Sequence, residues 1–353
     1  MASPSFETLY QSVSRRSSEY DGLYFTAVKT TRIFCRPVCP AKTPLAKNVE
    51  FFPTAKDAVH AGYRPCQRCR PLDMGTASPE WMASLIATLE QRPERRMTDG
   101  DLREVGLDPV AVRRAFHRRY GMSFHAFQRA WRMGMALGTL RTGADAVDAA
   151  MSTGFNSDSG FRDAFARIIG VPPGLADEAT PAWARWIETP LGSMLAIAVD
   201  EGLGLLEYVA RRMLETQLKV FQARWKRPIV PGGHTTLDLI ERELKAYFAG
   251  ELREFTCPIA APGTPFQEAV WKALMDIPYG QTRSYLQQAQ AIGNPEAVRA
   301  VGKANGDNRL AIIIPCHRVI KSDGTLCGYG GGLWRKRALL DLEQGQTSTL
   351  PLG

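Results

Sequence analysis

Pro315-Cys316-His317-Arg318-Val319 decides how the second half of this chain is read. A thiol and an imidazole are immediate neighbours. The apolar run Leu310-Ala311-Ile312-Ile313-Ile314 precedes them, and the glycine-rich Gly328-Tyr329-Gly330-Gly331-Gly332 follows. The run predicts a buried strand that delivers the thiol to a tight pocket with exposed backbone. An isolated Cys-His pair is more often a core thiol beside a surface imidazole. The strand before and the glycines after reverse those odds and point to a reactive cysteine. Thiolate is the nucleophile, and a neighbouring imidazole with its own carboxylate raises the thiolate fraction.

Those five residues, Asn305-Gly306-Asp307-Asn308 upstream and Gly328-Tyr329-Gly330-Gly331 downstream resemble the O6-alkylguanine-DNA alkyltransferase family. The resemblance runs over roughly residues 183–347. It implies that Cys316 takes an alkyl group from damaged guanine and keeps it. It further implies that His317 is the base, acting through a water, and that Glu343 orients the histidine. Tyr285 and Arg299 would help rotate the damaged base out of the stack, Asn308 would be the hinge asparagine near the thiol, and Tyr329 would line the pocket. A base inside a duplex is unreachable, so the nucleotide must flip, at a cost of about a few kcal/mol. Arg299 would fill the vacated space, and the small residues of Ala300-Val301-Gly302-Lys303-Ala304 let a helix approach a shallow groove closely. A methyl thioether is not hydrolysed, so one turnover per molecule is expected. Arg309 stands where the family places proline, and Cys327, read as a passive thiol, where it places a small or hydroxyl residue.

The whole chain has 353 residues, enough for two or three domains. Its 44% hydrophobic and 23% charged content are those of an ordinary globular protein. No apolar stretch follows Met1-Ala2-Ser3-Pro4, and no run reaches the length of a membrane helix. The expectation is a cytoplasmic protein without a signal peptide or membrane attachment. Net charge is +8. Residues 1–72 hold 11 lysines and arginines against 5 acids, whereas residues 78–178 balance at 13 each, so the first domain is the basic one. The 7 cysteines are clustered, four before residue 70 and one each at 257, 316 and 327. That distribution favours metal and catalysis over a disulfide framework.

Cys35 and Cys39 are spaced C-x3-C, and Cys66 and Cys69 C-x2-C. Two close pairs separated by an insert are a zinc signature, since four thiolates complete a closed tetrahedron around one Zn2+. By chemistry alone such a closed site is structural, and nothing in the spacing separates Cys35 from Cys39. Asp21-Gly22, Ala27-Val28-Lys29-Thr30-Thr31, Phe34-Cys35-Arg36-Pro37 and Ala61-Gly62-Tyr63-Arg64-Pro65-Cys66 resemble the amino-terminal domain of the Ada family. That resemblance implies that Cys35, Cys39, Cys66 and Cys69 hold zinc and that Cys35 also accepts a methyl group from a DNA methylphosphotriester. A zinc-bound thiolate is deprotonated outright. Methylating one of four thiolates takes the site from −2 to −1, which repels the DNA backbone less and would tighten binding. Arg32, Arg36, Lys42 and Lys47 are candidate phosphate contacts.

Between these parts, Met74-Gly75-Thr76-Ala77-Ser78 reads as a linker, with Ser78 as N-cap and Pro79 as first helical residue. Leu102 and Val105 lead to Gly106, then a helix opens at Asp108-Pro109 with Val112 and Phe116 inward. Val147 and Met151 lead to Gly154-Phe155, then a helix opens at Ser157 with Phe161, Phe165 and Ile168 inward. Helix, glycine turn, helix is the helix-turn-helix form. Residues 109–144 hold Arg113, Arg114, Arg118, Arg119, Arg129, Arg132 and Arg141 among no opposing acid, read as backbone and groove contacts. Gly121-Met122-Ser123, Gly154-Phe155 and Gly170-Val171-Pro172 resemble the AraC-type activators, with the first unit shortened and Gly100 weakening its leading helix. Asn156, Ser157 and Arg162 are candidate base readers.

The expected architecture is multidomain α+β. A small zinc-bound α/β domain spans 1–74, an all-α AraC-type double helix-turn-helix domain 78–178, and an α+β alkyltransferase domain with a helical, winged-helix-like catalytic half 183–353. The expected function is single-turnover repair of O6-methylguanine through Cys316 and of methylphosphotriesters through Cys35, with activation of alkylation-response genes after methylation at Cys35. The expected partners are alkylated and promoter double-stranded DNA and the transcription machinery, with the protein a monomer. A second reading is a zinc-containing transcription regulator whose alkyltransferase domain is inactive. A third, a cysteine hydrolase, is disfavoured because Cys and His of such enzymes usually meet from distant positions.

Overall fold

Side-chain caps fix where most helices begin, and two close registers fix where the cysteines meet. The computed structural model describes residues 4–17, 19–71, 80–92, 94–120, 122–155, 157–211 and 213–345. The linker read at 74–78, the Ser78-Pro79 helix start, Gly121, Asn156 and the side chains of Arg118 and Arg119 lie outside the described residues. Contacts divide the chain into two compact units, one of Met1–Thr76, Tyr247–Glu254 and Pro262–Gly353, the other of Ala77–Ala246 and Phe255–Ala261.

The amino-terminal part of the first unit starts with α1 (Phe6–Ser14), whose N-cap Ser5 accepts from the Thr8 amide. Then come β1 (Phe25–Val28), β2 (Ile33–Cys35), β3 (Val49–Phe52), α2 (Ala55–His60) and β4 (Arg64–Pro65). Thr54 caps α2, and Gly62 at φ +82° ends it. The sheet order is β3-β1-β2-β4, with β4 parallel to β2. Phe25, Ala27, Phe34, Ala55, Ala58 and Tyr63 form its core. Pairing of Phe34 with Pro65 places the chain just before Cys35 beside the chain just before Cys66, so the two cysteine pairs converge.

The second unit opens with six helices: α3 (Glu80–Gln91), α4 (Asp99–Glu104), α5 (Pro109–Tyr120), α6 (Phe124–Arg141), α7 (Ala146–Ser152) and α8 (Asp158–Ile169). A reciprocal Thr98–Asp101 capping box starts α4, which is only 6 residues long, so the first helix-turn-helix is indeed short. Gly106 and Gly154, at φ +77° and +68°, make the turns into α5 and toward α8. Val112 and Phe116 enter a core with Leu85, Leu89, Phe124 and Phe127. In α8, Phe161 and Phe165 are buried, but Ile169 rather than Ile168 completes the inner face.

The same unit continues with β5 (Ala182–Ile187), β6 (Met194–Val199), β7 (Gly202–Tyr208), α9 (Leu214–Trp225), β8 (Ile229–Pro231) and most of α10 (Thr235–Phe248). The sheet runs β7-β6-β5-β8, with β8 parallel to β5. Helix α6 lies against β8. Trp186 of β5 reaches Tyr120 and Phe127, ring centroids 5.0 and 5.1 Å away. Gly134 of α6 permits the approach, because a Cβ there would overlap the Pro231 carbonyl. Cys257 is a buried thiol with its pKa pushed up to about 12 by burial and by Glu243, consistent with packing rather than chemistry.

The rest of the first unit carries α11 (Pro265–Met275), β9 (Arg283–Ser284), α12 (Tyr285–Ala291), α13 (Val298–Gly306), β10 (Val319–Ile320) and α14 (Leu333–Glu343). Capping boxes at Thr264/Gln267 and Ser284/Gln287 start α11 and α12. Gln288 of α12 and Asn305 of α13 exchange amide hydrogen bonds of 3.2 and 2.8 Å inside this three-helix packing. β9 and β10 pair in parallel. One expectation fails here. Residues 310–314 are not a strand but consecutive turns, with Ile312 at φ +76°. Asn308 takes the place of a pairing strand: its Oδ1 accepts from the Leu310 amide at 2.9 Å, and its Nδ2 donates to the Ile314 carbonyl at 2.8 Å. Arg309, at the position where proline was expected, donates to the Pro262 carbonyl at 3.1 Å and lies 5.6 Å over the Trp271 ring.

Helix propensity favours alanine over glycine by about 1 kcal/mol. At Gly134 the close approach to Pro231 decides the other way. Gly134→Ala is expected to lower stability by about 1–3 kcal/mol, whereas Gly138→Ala, where a Cβ meets nothing within 4 Å, should be neutral or stabilising. Urea unfolding of the two variants side by side checks this; equal stabilisation of both would contradict the packing of α6 on β8.

Candidate functional site

Cys316 opens a single 3-10 turn, Cys316–Arg318, that follows the buried turns. The thiol is 9% exposed. Asn308 Nδ2, already donating to Ile314, lies 3.3 Å from Cys316 Sγ, so Asn308 and the thiol meet. The turn also directs His317 and Arg318 inward, where both converge on Glu343 at the end of α14.

Glu343 is the most heavily bonded group in the site. One oxygen accepts from Tyr247 hydroxyl, His317 Nε2 and an Arg318 terminal nitrogen, at 2.8, 2.8 and 2.9 Å. The other accepts from Arg318 Nε at 2.8 Å and the Gly280 amide at 3.2 Å. Burial acts to raise its pKa, but hydrogen bonds and charge from His317 and Arg318 outweigh burial and hold the carboxyl well below its usual range. An ionised Glu343 fixes the proton of His317 on Nε2. His317 itself is fully buried, and burial lowers its pKa against the opposing pull of Glu343. Its Nδ1 is therefore a lone pair, buried and without a hydrogen-bond partner.

Tyr285 begins α12 and is half-buried; its hydroxyl points to the Cys327 and Gly328 carbonyls at 3.4 and 3.5 Å. Burial, then the Cys327 thiol, raises its pKa, so the phenol keeps its proton. Arg299 is exposed on α13 beside Ala300 and Lys303, and Gly302 lies under the Tyr285 ring. Tyr329 is half-buried in the loop before α14. Lys336 escaped the sequence reading altogether. It is fully buried, and its ammonium donates to the Val319, Cys327 and Gly328 carbonyls, at 2.5, 2.7 and 3.4 Å. Burial pulls its pKa down to about 8, while Cys316 and Cys327 act to raise it. It pins the Cys327–Gly328 loop that Tyr285 also holds and puts a positive charge near both thiols. A lysine on an otherwise apolar helix face facing a glycine loop was the available signal.

In the amino-terminal domain, the sulfur atoms of Cys35, Cys39, Cys66 and Cys69 all lie within 4.8 Å of one another. Cys39 and Cys66 are buried, Cys35 and Cys69 half-buried. The Arg36 amide donates to Cys69 Sγ at 3.3 Å. Sulfurs this close oppose one another's ionisation. The Cys35 thiol is pushed far up, first by its hydrogen bond to Cys69 and then by burial, while Cys69 is pulled down to about 6, chiefly by Cys35. Only a bound cation lets all four ionise together. The donor set, four thiols with no carboxylate, fits one zinc ion. A cleft of about 720 Å³ borders Cys35 and is lined by Lys42, Arg64 and Arg68. Lys42, Arg64 and Arg68 are exposed there, and Lys47 is exposed outside it. Arg36 pairs with the buried Asp21, Nε to Oδ1 at 2.8 Å, and Arg32 stacks 5.4 Å over Tyr63. Of the four cations read as phosphate contacts, two are thus engaged inside the domain, and Arg64 and Arg68 were missed.

Three family descriptions match in sequence order: the metal binding domain of Ada over residues 8–72, a helix-turn-helix domain over 102–176, and the DNA binding domain of 6-O-methylguanine DNA methyltransferase over 265–345. The bifunctional transcriptional activator/DNA repair enzyme Ada of Escherichia coli is 34% identical over 342 residues, 95% of this chain and 95% of that protein. The regulatory protein ada of Salmonella typhimurium is 34% identical over 94% of each chain. A methylated-DNA–protein-cysteine methyltransferase of Mycobacterium bovis is 48% identical over 161 residues, 45% of this chain and 91% of its own. A relative matched along nearly its whole length, with all three segments in one order, means that this chain belongs to the Ada family.

Proposed function

We propose that this protein repairs alkylated DNA by single-turnover methyl transfer to two of its own cysteines, and that the buried lone pair of His317 carries the reading at Cys316. His317 Nδ1 takes the thiol proton, through a water, and Glu343 compensates the charge that forms on the imidazole. The Cys316 sulfur attacks the methyl carbon of O6-methylguanine. The S–C bond forms as the C–O bond breaks, and the guanine regains a proton. Asn308 donates to the sulfur and holds the turn that carries it. Tyr285 and Arg299 act on the extruded nucleotide, Arg299 from the exposed face of α13. Tyr329 lines the pocket. The thioether has no leaving path to water, so the protein is spent.

A zinc ion would be held by Cys35, Cys39, Cys66 and Cys69, and its charge would keep their sulfurs as thiolates. Cys35, Cys39 and Cys66 all line the basic cleft, so the choice of Cys35 as acceptor rests on the family resemblance. Its sulfur takes the methyl group of a phosphotriester, the methyl C–O bond breaks, and a phosphodiester anion leaves. Lys42, Arg64 and Arg68 attract that backbone. The site loses one negative charge, and the helix-turn-helix segment then holds promoter DNA more tightly and engages the transcription machinery. The protein acts as a monomer in the cytoplasm.

Three outcomes test these roles. DNA labelled in one lesion at a time should transfer its methyl group to Cys316 from O6-methylguanine and to Cys35 from the phosphotriester. Cys316→Ala should abolish the first and spare the second, Cys35→Ala the reverse; peptide mapping that finds the phosphotriester label on Cys39 would overturn the Cys35 assignment. His317 works as a base only when neutral, and its pKa is lowered. Single-turnover transfer from O6-methylguanine should therefore stay level as pH falls through the ordinary histidine value of 6.5 and decline only below it. A decline that sets in above 6.5 would remove His317 from the role. Glu343→Ala leaves Arg318 and His317 buried without their acceptor and should cost about 3–5 kcal/mol by denaturant unfolding. The sign with pH is set by the depressed carboxyl: the contribution is complete above the ordinary 4.5 and is lost as pH falls toward the lower folded value.

A further inference from the structure

The helical segment contains a polar cavity that methyl transfer does not use. It measures about 190 Å³ and opens between α6 and α8. His125, Gln128, Arg129 and Arg132 line it from one face of α6, Arg167 from α8, and Arg96 from the segment before α4. Gly160 and Ala164 on α8 leave the room.

Two observations independently call for an anion. Gln128 is 3% exposed, and its Nε2 donor has no hydrogen-bond partner. A buried amide left unsatisfied costs about 1–3 kcal/mol. The second is uncompensated charge. Arg132 is 6% exposed, with Nε bonded to the Thr153 carbonyl and its guanidinium 4.6 Å over Phe155. Its neighbours are cations: burial first, then Arg96 and Arg129, lower its pKa. Among the described residues no carboxylate pairs with Arg96, Arg129, Arg132 or Arg167, and Asp99, which is near His125, is held by that imidazole at 2.7 Å. A water would satisfy Gln128 but leave the arginines repelling.

We propose that this cavity is an anion site that takes a phosphoryl group. Guanidinium forks match tetrahedral oxyanions bidentately, and the Gln128 amide supplies a neutral donor from below. The volume exceeds that of one tetrahedral anion, so there is space for the group to which the phosphoryl is attached. On α8, Gly160, Ala164 and Arg167 lie on a different face from Ser159, Arg162 and Ala166, although Gly160 and Arg167 are exposed as well. The cavity is therefore off the stripe of Ser159, Arg162 and Ala166. The phosphoryl group can come from a free phosphorylated molecule or from the DNA backbone.

The test uses the full-length zinc-loaded protein, inorganic phosphate and pyrophosphate as probes, and chloride at matched ionic strength as control. Phosphate or pyrophosphate should raise the thermal midpoint beyond chloride, and Gln128→Leu and Arg129→Ala should each erase that preference. Stabilisation without competition against DNA identifies a free ligand as the source. Competition, together with a salt slope of DNA binding reduced by about one in Arg129→Ala, identifies the backbone. The proposal is overturned if neither anion exceeds chloride and Arg129→Ala leaves the salt slope unchanged, or if the Gln128→Leu and Arg129→Ala proteins keep the full anion preference.

Discussion

One carboxylate organises the catalytic half. Glu343 accepts hydrogen bonds from four residues in three segments: Tyr247 at the end of α10, Gly280 before β9, and His317 and Arg318 of the 3-10 turn. A buried anion is costly unless every lone pair is used. Here the uses are the fold itself. Remove any donor and a segment that positions the thiol loses its anchor. The same saturation sets the chemistry, because a fully committed Glu343 cannot take the proton of His317. The imidazole is left in one tautomer with one free nitrogen, and only that nitrogen is available to the thiol.

The strain needed to present Cys316 is held nearby. A thiol on a strand would share its backbone with ladder hydrogen bonds and point across a sheet. Consecutive turns, one residue of them at φ +76°, bring Cys316, His317 and Arg318 round within a single turn of chain. Asn308 makes this tolerable by satisfying the Leu310 amide and the Ile314 carbonyl with one side chain. Its proximity to the sulfur then follows from its structural task. A residue that shapes the turn is already beside the nucleophile.

Much of this was legible in sequence, for identifiable reasons. Cysteine spacing predicts a metal site because ligands two to four residues apart can share one ion. The cap at Ser157 predicts a helix start because its chemistry is local. The run 310–314 misled because an apolar stretch reports burial and not dihedral angles; a strand and a buried turn look alike by composition. Tyr247 was invisible because it meets Glu343 across 96 residues of sequence, and Asp21 because its arginine lies across the zinc domain. Lys336 runs against the rule that lysines stay outside. Gln128 was hidden because its neighbours on the α6 face, His125, Arg129 and Arg132, read as a solvated polar face and not as the lining of a cavity.

The two acceptor cysteines solve one problem by opposite means. A sulfur must be anionic enough to attack, yet persist in a protein surrounded by water and other thiols. At Cys316 the proposed mechanism makes the anion on demand: the thiol is buried and the neighbouring imidazole would take its proton once substrate is in place. Under the proposed mechanism that route requires extrusion of a base, which the exposed Arg299 on a helix of small residues would serve. At Cys35 the sulfur lies half-exposed in a cluster that needs a cation to ionise, and a backbone phosphotriester needs no extrusion to reach it. The basic cleft suits that substrate, since a diester anion is what forms there. Burial with an internal base fits a lesion that must be pulled in; a permanent thiolate at a charged surface fits a lesion already outside.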